Sequence, residues 1–235
     1  KHTVGGELMS FDRVIANPPF SLKNWGIEDV ESDPWGRFPF GIPPKSHGDL
    51  AFVQHMIASL NGEGKLGVVM PHGVLFRGSK EKDIRKGIIE KDLLEAVIGL
   101  PAGLFYGTGI PASILILRKR VRKNAPVLFI NAEEIYTKGR AQNTMASEQA
   151  DEIYSIYINQ HKKAFEQEGV SRWVEYSELK ENDFNLNIAR YVQKPLEEET
   201  ITVEEALGEF KNKLAELGKA EDELELLLEQ EGFEL

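Results

Sequence analysis

Five short apolar runs constrain this chain more than any other feature: Phe11–Ala16, Lys65–Pro71, Asp92–Leu100, Pro111–Leu117 and Val127–Ile130. Each has strand length and is bounded by proline, glycine or charge, which predicts a buried strand. Two of the gaps between them are helical. Residues 49–60 set Phe52, Met56, Ile57 and Leu60 on one face before Asn61-Gly62, and residues 79–90 turn Ile84, Ile88 and Ile89 inwards. Strand and helix in alternation predict an α/β layer with parallel pairing. The last two connections are too short for a crossover helix, so an antiparallel edge strand is expected.

Composition narrows the class without choosing a partner. The 235 residues are 41% hydrophobic and 28% charged, ordinary for a soluble globular chain, and suffice for one domain with a core or one domain plus an appendage. Cysteine is absent, which removes disulfides, thiol nucleophiles and cysteine metal sites and fits a reducing, cytoplasmic setting. Five scattered histidines lack ligand spacing, so no metal is expected. No apolar run is long enough to span a bilayer and no signal-peptide pattern opens the chain, so no membrane partner is expected. The net charge of −10 belongs to the far end: residues 196–235 carry −11 and the other 195 carry +1. A neutral body neither excludes nucleic acid nor advertises it.

Between the first two runs, residues 21–47 show no period but hold Trp25, Trp35, Phe38, Phe40 and four prolines. So long a stretch inside a compact domain is functional or disordered, and its aromatics predict an ordered loop. Past residue 145 the pattern changes to an amphipathic helix at 146–168 and an irregular segment at 172–192. Thr202-Val203-Glu204-Glu205 has the capping-box pattern that opens a long helix. Its seam is Val203, Leu207, Phe210, Leu214, Leu217, Leu224 and Leu228, weakened by Gly208 and Gly218. That seam either folds back on its own domain or docks a partner. The organisation expected is 1–145 for the sheet domain, 146–195 for a helical and irregular extension, and 196–235 for an acidic docking tail. Two basic stretches, around Arg77–Lys91 and at Arg118–Lys123, read as solvated charge; any DNA contact there would be to phosphate, which carries no sequence information.

Chemistry is concentrated in Asn17-Pro18-Pro19-Phe20, directly after the first run. Open α/β sheets hold ligands at the carboxyl ends of their strands. Two prolines lock the backbone and remove two donors, leaving carbonyls as fixed acceptors. The Asn amide oxygen is a second acceptor, and the aromatic ring is a platform for a flat base. Two acceptors and a platform suit an exocyclic amino group on an aromatic ring. Asn-Pro and Pro-Pro are also common turn punctuation, and Pro43-Pro44 in the loop carries no such reading.

Asn17-Pro18-Pro19-Phe20 resembles the amino-methyltransferase motif of DNA adenine methyltransferases. The flanking Phe11–Ala16 and Ser21 resemble in particular the modification (M) subunit of type I restriction-modification systems. So do Gly48-Asp49-Leu50-Ala51-Phe52, Gly67–Pro71 with Gly73, Leu100–Phe105 with Thr108-Gly109-Ile110, and Asn185-Leu186-Asn187 with Arg190-Tyr191. The resemblance covers about residues 8–195. It implies the C-terminal half of a Rossmann-like methyltransferase sheet with a helical extension. The implied activity is transfer of methyl from S-adenosylmethionine to the amino nitrogen (N6) of a flipped-out adenine in DNA. By position, Asn17 and the Pro18 backbone, held by Pro19, would bind the amino group. Phe20 would stack on the base, with Phe105 closing from the other side and Tyr106 as its neighbour. Phe52 matches an aromatic near the cofactor's adenine, and is equally suited to plain core.

The family's glycine-rich cofactor loop precedes the Asn-Pro-Pro element, which here begins at residue 17. Gly103, Gly107 and Gly109 are no substitute, because they lead into a strand and not a helix. The chain is therefore expected to be the C-terminal part of a longer protein, inactive alone and binding the cofactor negligibly. The resemblance also implies DNA and the specificity (S) and restriction (R) subunits as partners. Two alternatives stand beside it: a non-catalytic module that docks a specificity subunit, and a methyltransferase acting on RNA or protein.

Overall fold

The computed structural model describes residues 3–30, 32–106, 109–119, 124–140, 142–159, 168–193 and 202–230. A small antiparallel pair, β1 (Thr3–Val4) and β2 (Glu7–Leu8), leads into β3 (Phe11–Ala16). There follow α1 (Asp49–Ala58), β4 (Leu60–Pro71), α2 (Lys80–Glu90), β5 (Leu94–Gly99), β6 (Ala112–Arg118) and β7 (Val127–Asn131). Then come α3 (Ser147–Asn159), β8 (Ser171–Val174), α4 (Tyr176–Glu181) and α5 (Val203–Gln230). Six strands form one mixed sheet in the order β3-β4-β6-β5-β7-β8. β3 pairs parallel with β4 and β5 with β7, while β6 runs against both of its neighbours and β8 against β7.

All five apolar runs are strands, and an antiparallel edge is present. Its identity differs from expectation. The short connections do reverse the fourth run, but β6 lies inside the sheet, and the antiparallel edge is β8. That strand comes from a segment read as irregular: Ser171-Arg172-Trp173-Val174 is too short and polar to show a period, and its place is fixed by pairing with β7. Residues 172–192 also hold α4 and feed Leu179, Phe184, Leu186, Ile188, Tyr191 and Val192 into the core. The helix expected over 146–168 is α3; residues 160–167 lie outside the described ones.

Side-chain alternation along the strands sorts the core into two layers. Leu66, Val68, Met70, Leu115, Leu117 and Phe129 pack with α1, α2 and the 184–192 segment on one face. Ala96, Ile98, Leu128 and Ile130 pack with Ile153 of α3 on the other, joined by half-buried Ile114, Ile116, Phe20 and Phe105. Each fully buried aliphatic side chain contributes about 1.5–3 kcal/mol.

The aromatic loop is ordered by named contacts. Buried Gln54 accepts from the Phe40 amide at 3.2 Å and donates to the Gly41 carbonyl at 2.8 Å, and the Trp25 indole donates to the Pro44 carbonyl at 3.1 Å. The chain divides into two compact units, Lys1–Pro195 and Leu196–Leu235. In the second, the capping box forms: the Thr202 amide donates to Glu205 at 2.8 Å and the Glu205 amide to Thr202 Oγ1 at 3.2 Å. α5 runs unbroken through Gly208 and Gly218, and its seam from Val203 to Leu224 is at least half exposed.

Candidate active site

Pairing directions make β3, β4, β5 and β7 point the same way. Their carboxyl ends, and the loops that leave them, share one edge of the sheet, the edge where ligands sit in open α/β folds. Asn17-Pro18-Pro19-Phe20 leaves β3 there. Asn17 and Pro19 are exposed and Pro18 half-buried, so the amide of Asn17 is open to a ligand. Phe20 turns back onto the sheet and packs against the second core layer.

Phe105 arrives at the same place from the loop after β5. That loop is tied down by neutral amides: Asn143 donates from its backbone to Gly103 and from its side chain to Ala102, at 3.0 and 2.8 Å, and Gln142 Nε2 donates to Leu104 at 2.7 Å. Gly103, at φ +69°, makes the bend that brings the ring in. The Phe20 and Phe105 rings meet edge to face, with centroids 5.5 Å apart and planes at 66°. Residues separated by 85 positions are thus brought into one constellation with Asn17. Tyr106 is 95% exposed and makes no part of the ring pair. Gly107 and Thr108 lie outside the described residues.

Phe52 belongs to another place. It is half-buried against the first core layer and also lines a cavity of about 300 Å³ with Trp25, Phe38, Asp29, Arg37 and His55. Phe52 therefore both packs on the core and lines a cavity.

Two residues that the sequence left without a site role stand directly behind the turn. Asp49, fully buried at the start of α1, accepts the Ser21 amide on Oδ1 at 2.7 Å and Arg77 Nη1 on Oδ2 at 3.0 Å. Arg77 also reaches Glu81 at 3.0 Å. Burial pushes the Glu81 carboxyl above its ordinary range despite that arginine. After β4, burial lowers the His72 imidazole below its usual value, so it is neutral at neutral pH.

The basic stretches are mixed: Lys80, Lys86 and Lys91 are exposed, as expected of solvated charge, while others are engaged by the protein itself. Lys82 pairs with Asp183 at 2.5 Å, and buried Arg85 donates to the carbonyls of Val74, Arg77 and Phe184. Arg118 pairs with Glu95 at 2.6 Å and Lys119 donates to the Leu60 carbonyl at 2.8 Å; residues 120–123 lie outside the described ones. Among the described residues no cluster of three or more His, Cys, Asp or Glu is arranged to hold a metal, and no helix is long and apolar enough to cross a membrane.

The family described as N-6 DNA Methylase matches residues 1–200, and the chain belongs to that family. The type I restriction enzyme MjaVII methylase subunit of Methanocaldococcus jannaschii is 38% identical over 224 residues, 91% of this chain and 37% of that protein. The HindI methylase subunit of Haemophilus influenzae is 35% identical over 185 residues, 77% of this chain and 41% of that one. Among solved structures, the methyltransferase subunit of a type I restriction-modification system from Streptococcus thermophilus matches with a TM-score of 0.71 and 40% identity, over 80% of this chain and 39% of that chain. The chain therefore spans between 37% and 41% of the length of these relatives.

Proposed function

We propose that the complete protein to which this chain belongs is the modification subunit of a type I restriction-modification system. It methylates the N6 nitrogen of an adenine flipped out of DNA. The observation that carries this reading is the convergence of exposed Asn17 with the contacting rings of Phe20 and Phe105 at the carboxyl edge of the sheet. Asn17 Oδ1 and the Pro18 carbonyl accept the two amino hydrogens, which turns the nitrogen lone pair out of ring conjugation. Pro19 holds the turn, and Phe20 and Phe105 take the base between them. S-adenosylmethionine supplies an electrophilic methyl group on a sulfonium. The aromatic faces of Trp25, Phe38 and Phe52, with the carboxylate of Asp29, suit the aminated purine of that cofactor.

The test is Asn17→Ala in the complete subunit, assembled and supplied with hemimethylated DNA. Loss of one aligned acceptor should cost about 2–4 kcal/mol of transition-state stabilisation, as loss of an oxyanion-hole donor does. Methylation at the unmutated rate would remove Asn17 from the site.

The tail supports the partner side of the same reading. Leu214 and Leu217 are 50% and 53% exposed on a helix whose charge cannot favour DNA. Residues 196–235 dock the specificity subunit, with the restriction subunit and DNA joining the same assembly. The body divides at residue 145 between the target-base half and its extension. Leu214→Glu with Leu217→Glu should abolish co-purification with the specificity subunit, since each buried leucine contributes about 1.5–3 kcal/mol. Assembly by the double variant would refute docking.

A further inference from the structure

We infer that Asp49 and Arg77 form a clamp that holds the Asn17–Phe20 turn in its working shape, and that both are positioning residues for the methyl-accepting site. The inference rests on the reading of that turn as the base site. Its starting point is Ser21, which follows Phe20 and has φ +50°. A non-glycine residue pays for that left-handed conformation unless its surroundings over-determine it. Here the surroundings are Asp49, fully buried, with one carboxylate oxygen 2.7 Å from the Ser21 amide and the other 3.0 Å from Arg77 Nη1. Arg77 Nη2 lies 3.5 Å from Ser21 Oγ, so the same guanidinium faces both ends of the clamp. A buried carboxylate between an amide and a guanidinium is charge-assisted on both sides and strongly directional.

Gly73 makes room for the clamp's guanidinium, and Gly48, beside Asp49, makes room for Trp25. A side chain at Gly73 would meet the Arg77 guanidinium at 2.4–2.7 Å, and one at Gly48 would meet the Trp25 side chain at 2.7–2.8 Å. The Gly48 amide also donates to the Leu22 carbonyl at 2.9 Å, one residue past Ser21. Gly48, Asp49, Gly73 and Arg77 therefore act as one device that fastens the exit of the base turn to the start of α1. Arg77 is itself fixed from behind, because its carbonyl accepts from buried Arg85 at 2.7 Å.

The experiment uses Asp49→Ala, Asp49→Asn and Arg77→Gln in the complete subunit. Asparagine keeps an acceptor for the Ser21 amide and loses the charge facing Arg77. Turnover at saturating DNA and S-adenosylmethionine should fall between about ten- and 100-fold in Asp49→Ala, the scale of a small misplacement, with both KM values little changed. Asp49→Asn should recover part of that loss, and hydrogen exchange at the Ser21 amide should accelerate in Asp49→Ala and not in Asp49→Asn. Unchanged turnover in Asp49→Ala overturns the inference. So does equal loss in the Ala and Asn variants that follows their melting temperatures, because that is the behaviour of a merely structural residue. Should Asn17→Ala methylate normally while Ser21 exchange still depends on Asp49, the base-site reading fails and the clamp stands as a loop anchor only.

Discussion

Buried carboxylates at opposite ends of the same sheet, Glu95 at one and Asp49 with Glu81 at the other, are treated differently. Glu95, at the amino end of β5, receives Lys65 at 2.8 Å, Arg118 at 2.6 Å and the Tyr157 hydroxyl of α3. Burial pushes its carboxyl up, but the hydrogen bonds from Lys65 and Tyr157 outweigh burial and hold it below the ordinary range. At the carboxyl end, Asp49 and Glu81 share one guanidinium, and burial wins at Glu81, whose carboxyl is held above its ordinary range. The amino end has charge to spare and staples α3 to the sheet. The carboxyl end is short of charge and tolerates a cost in order to fix a turn.

That contrast is broken first by removing Glu95. Glu95→Ala strips the shared partner from two cations, and because both reach solvent the loss should sit at the low end for a buried pair, about 3 kcal/mol in urea unfolding. A shift of only a few tenths would show that the amino end is not the stabilising one. Next in size is Phe20→Ala, which should weaken binding of an extruded base by about 1–3 kcal/mol, read with a fluorescent adenine analogue at the target position. Its unfolding free energy should fall less than that of Glu95→Ala. Tyr157→Phe removes a hydroxyl that donates to Glu95 and accepts from Lys65, each of which keeps another partner, so about 1–2 kcal/mol of stability should go. An unaffected melting curve would detach α3 from the Glu95 cluster.

Smallest is Glu81→Gln, whose value lies in its sign. A carboxyl raised in the folded state costs stability above its folded value, and the cost is relieved as pH falls towards 4.5. The glutamine variant should therefore gain under about 1 kcal/mol at neutral pH and lose that acid-side relief. Glu95 has the opposite sign: its contribution is complete above 4.5 and is lost as pH falls through its lowered folded value. A Glu81→Gln melting profile parallel to that of the parent at every pH would contradict the assignment.

Much of this architecture could be read from local pattern, because a strand buried on both faces announces itself as an apolar run. Strand order could not. Nothing in Ala112–Arg118 says that it lies between β4 and β5, since that depends on which edges pair, not on its own composition. β8 was illegible because four residues with an arginine at the second carry no period. At the site, Asn17–Phe20 was legible as chemistry from four adjacent residues, whereas Phe105 entered only through resemblance and its contact with Phe20 is tertiary. Asp49 reads locally as an acidic residue opening a helix, and its hold on Ser21 spans 28 positions.

The edge-to-face meeting of Phe20 and Phe105 has a consequence for the proposed base site. A base lying flat between two rings needs them parallel and separated by its own thickness on each side, and neither condition holds at 66° and 5.5 Å. The two rings thus pack against each other where the proposed base would lie. An edge contact of this kind is worth about 0.5–1.5 kcal/mol, and stacking a base returns about 1–3 kcal/mol. For a base already out of the helix the exchange is close to even or favourable. At the proposed base site, a base stacked between the two rings therefore requires at least one of them to turn.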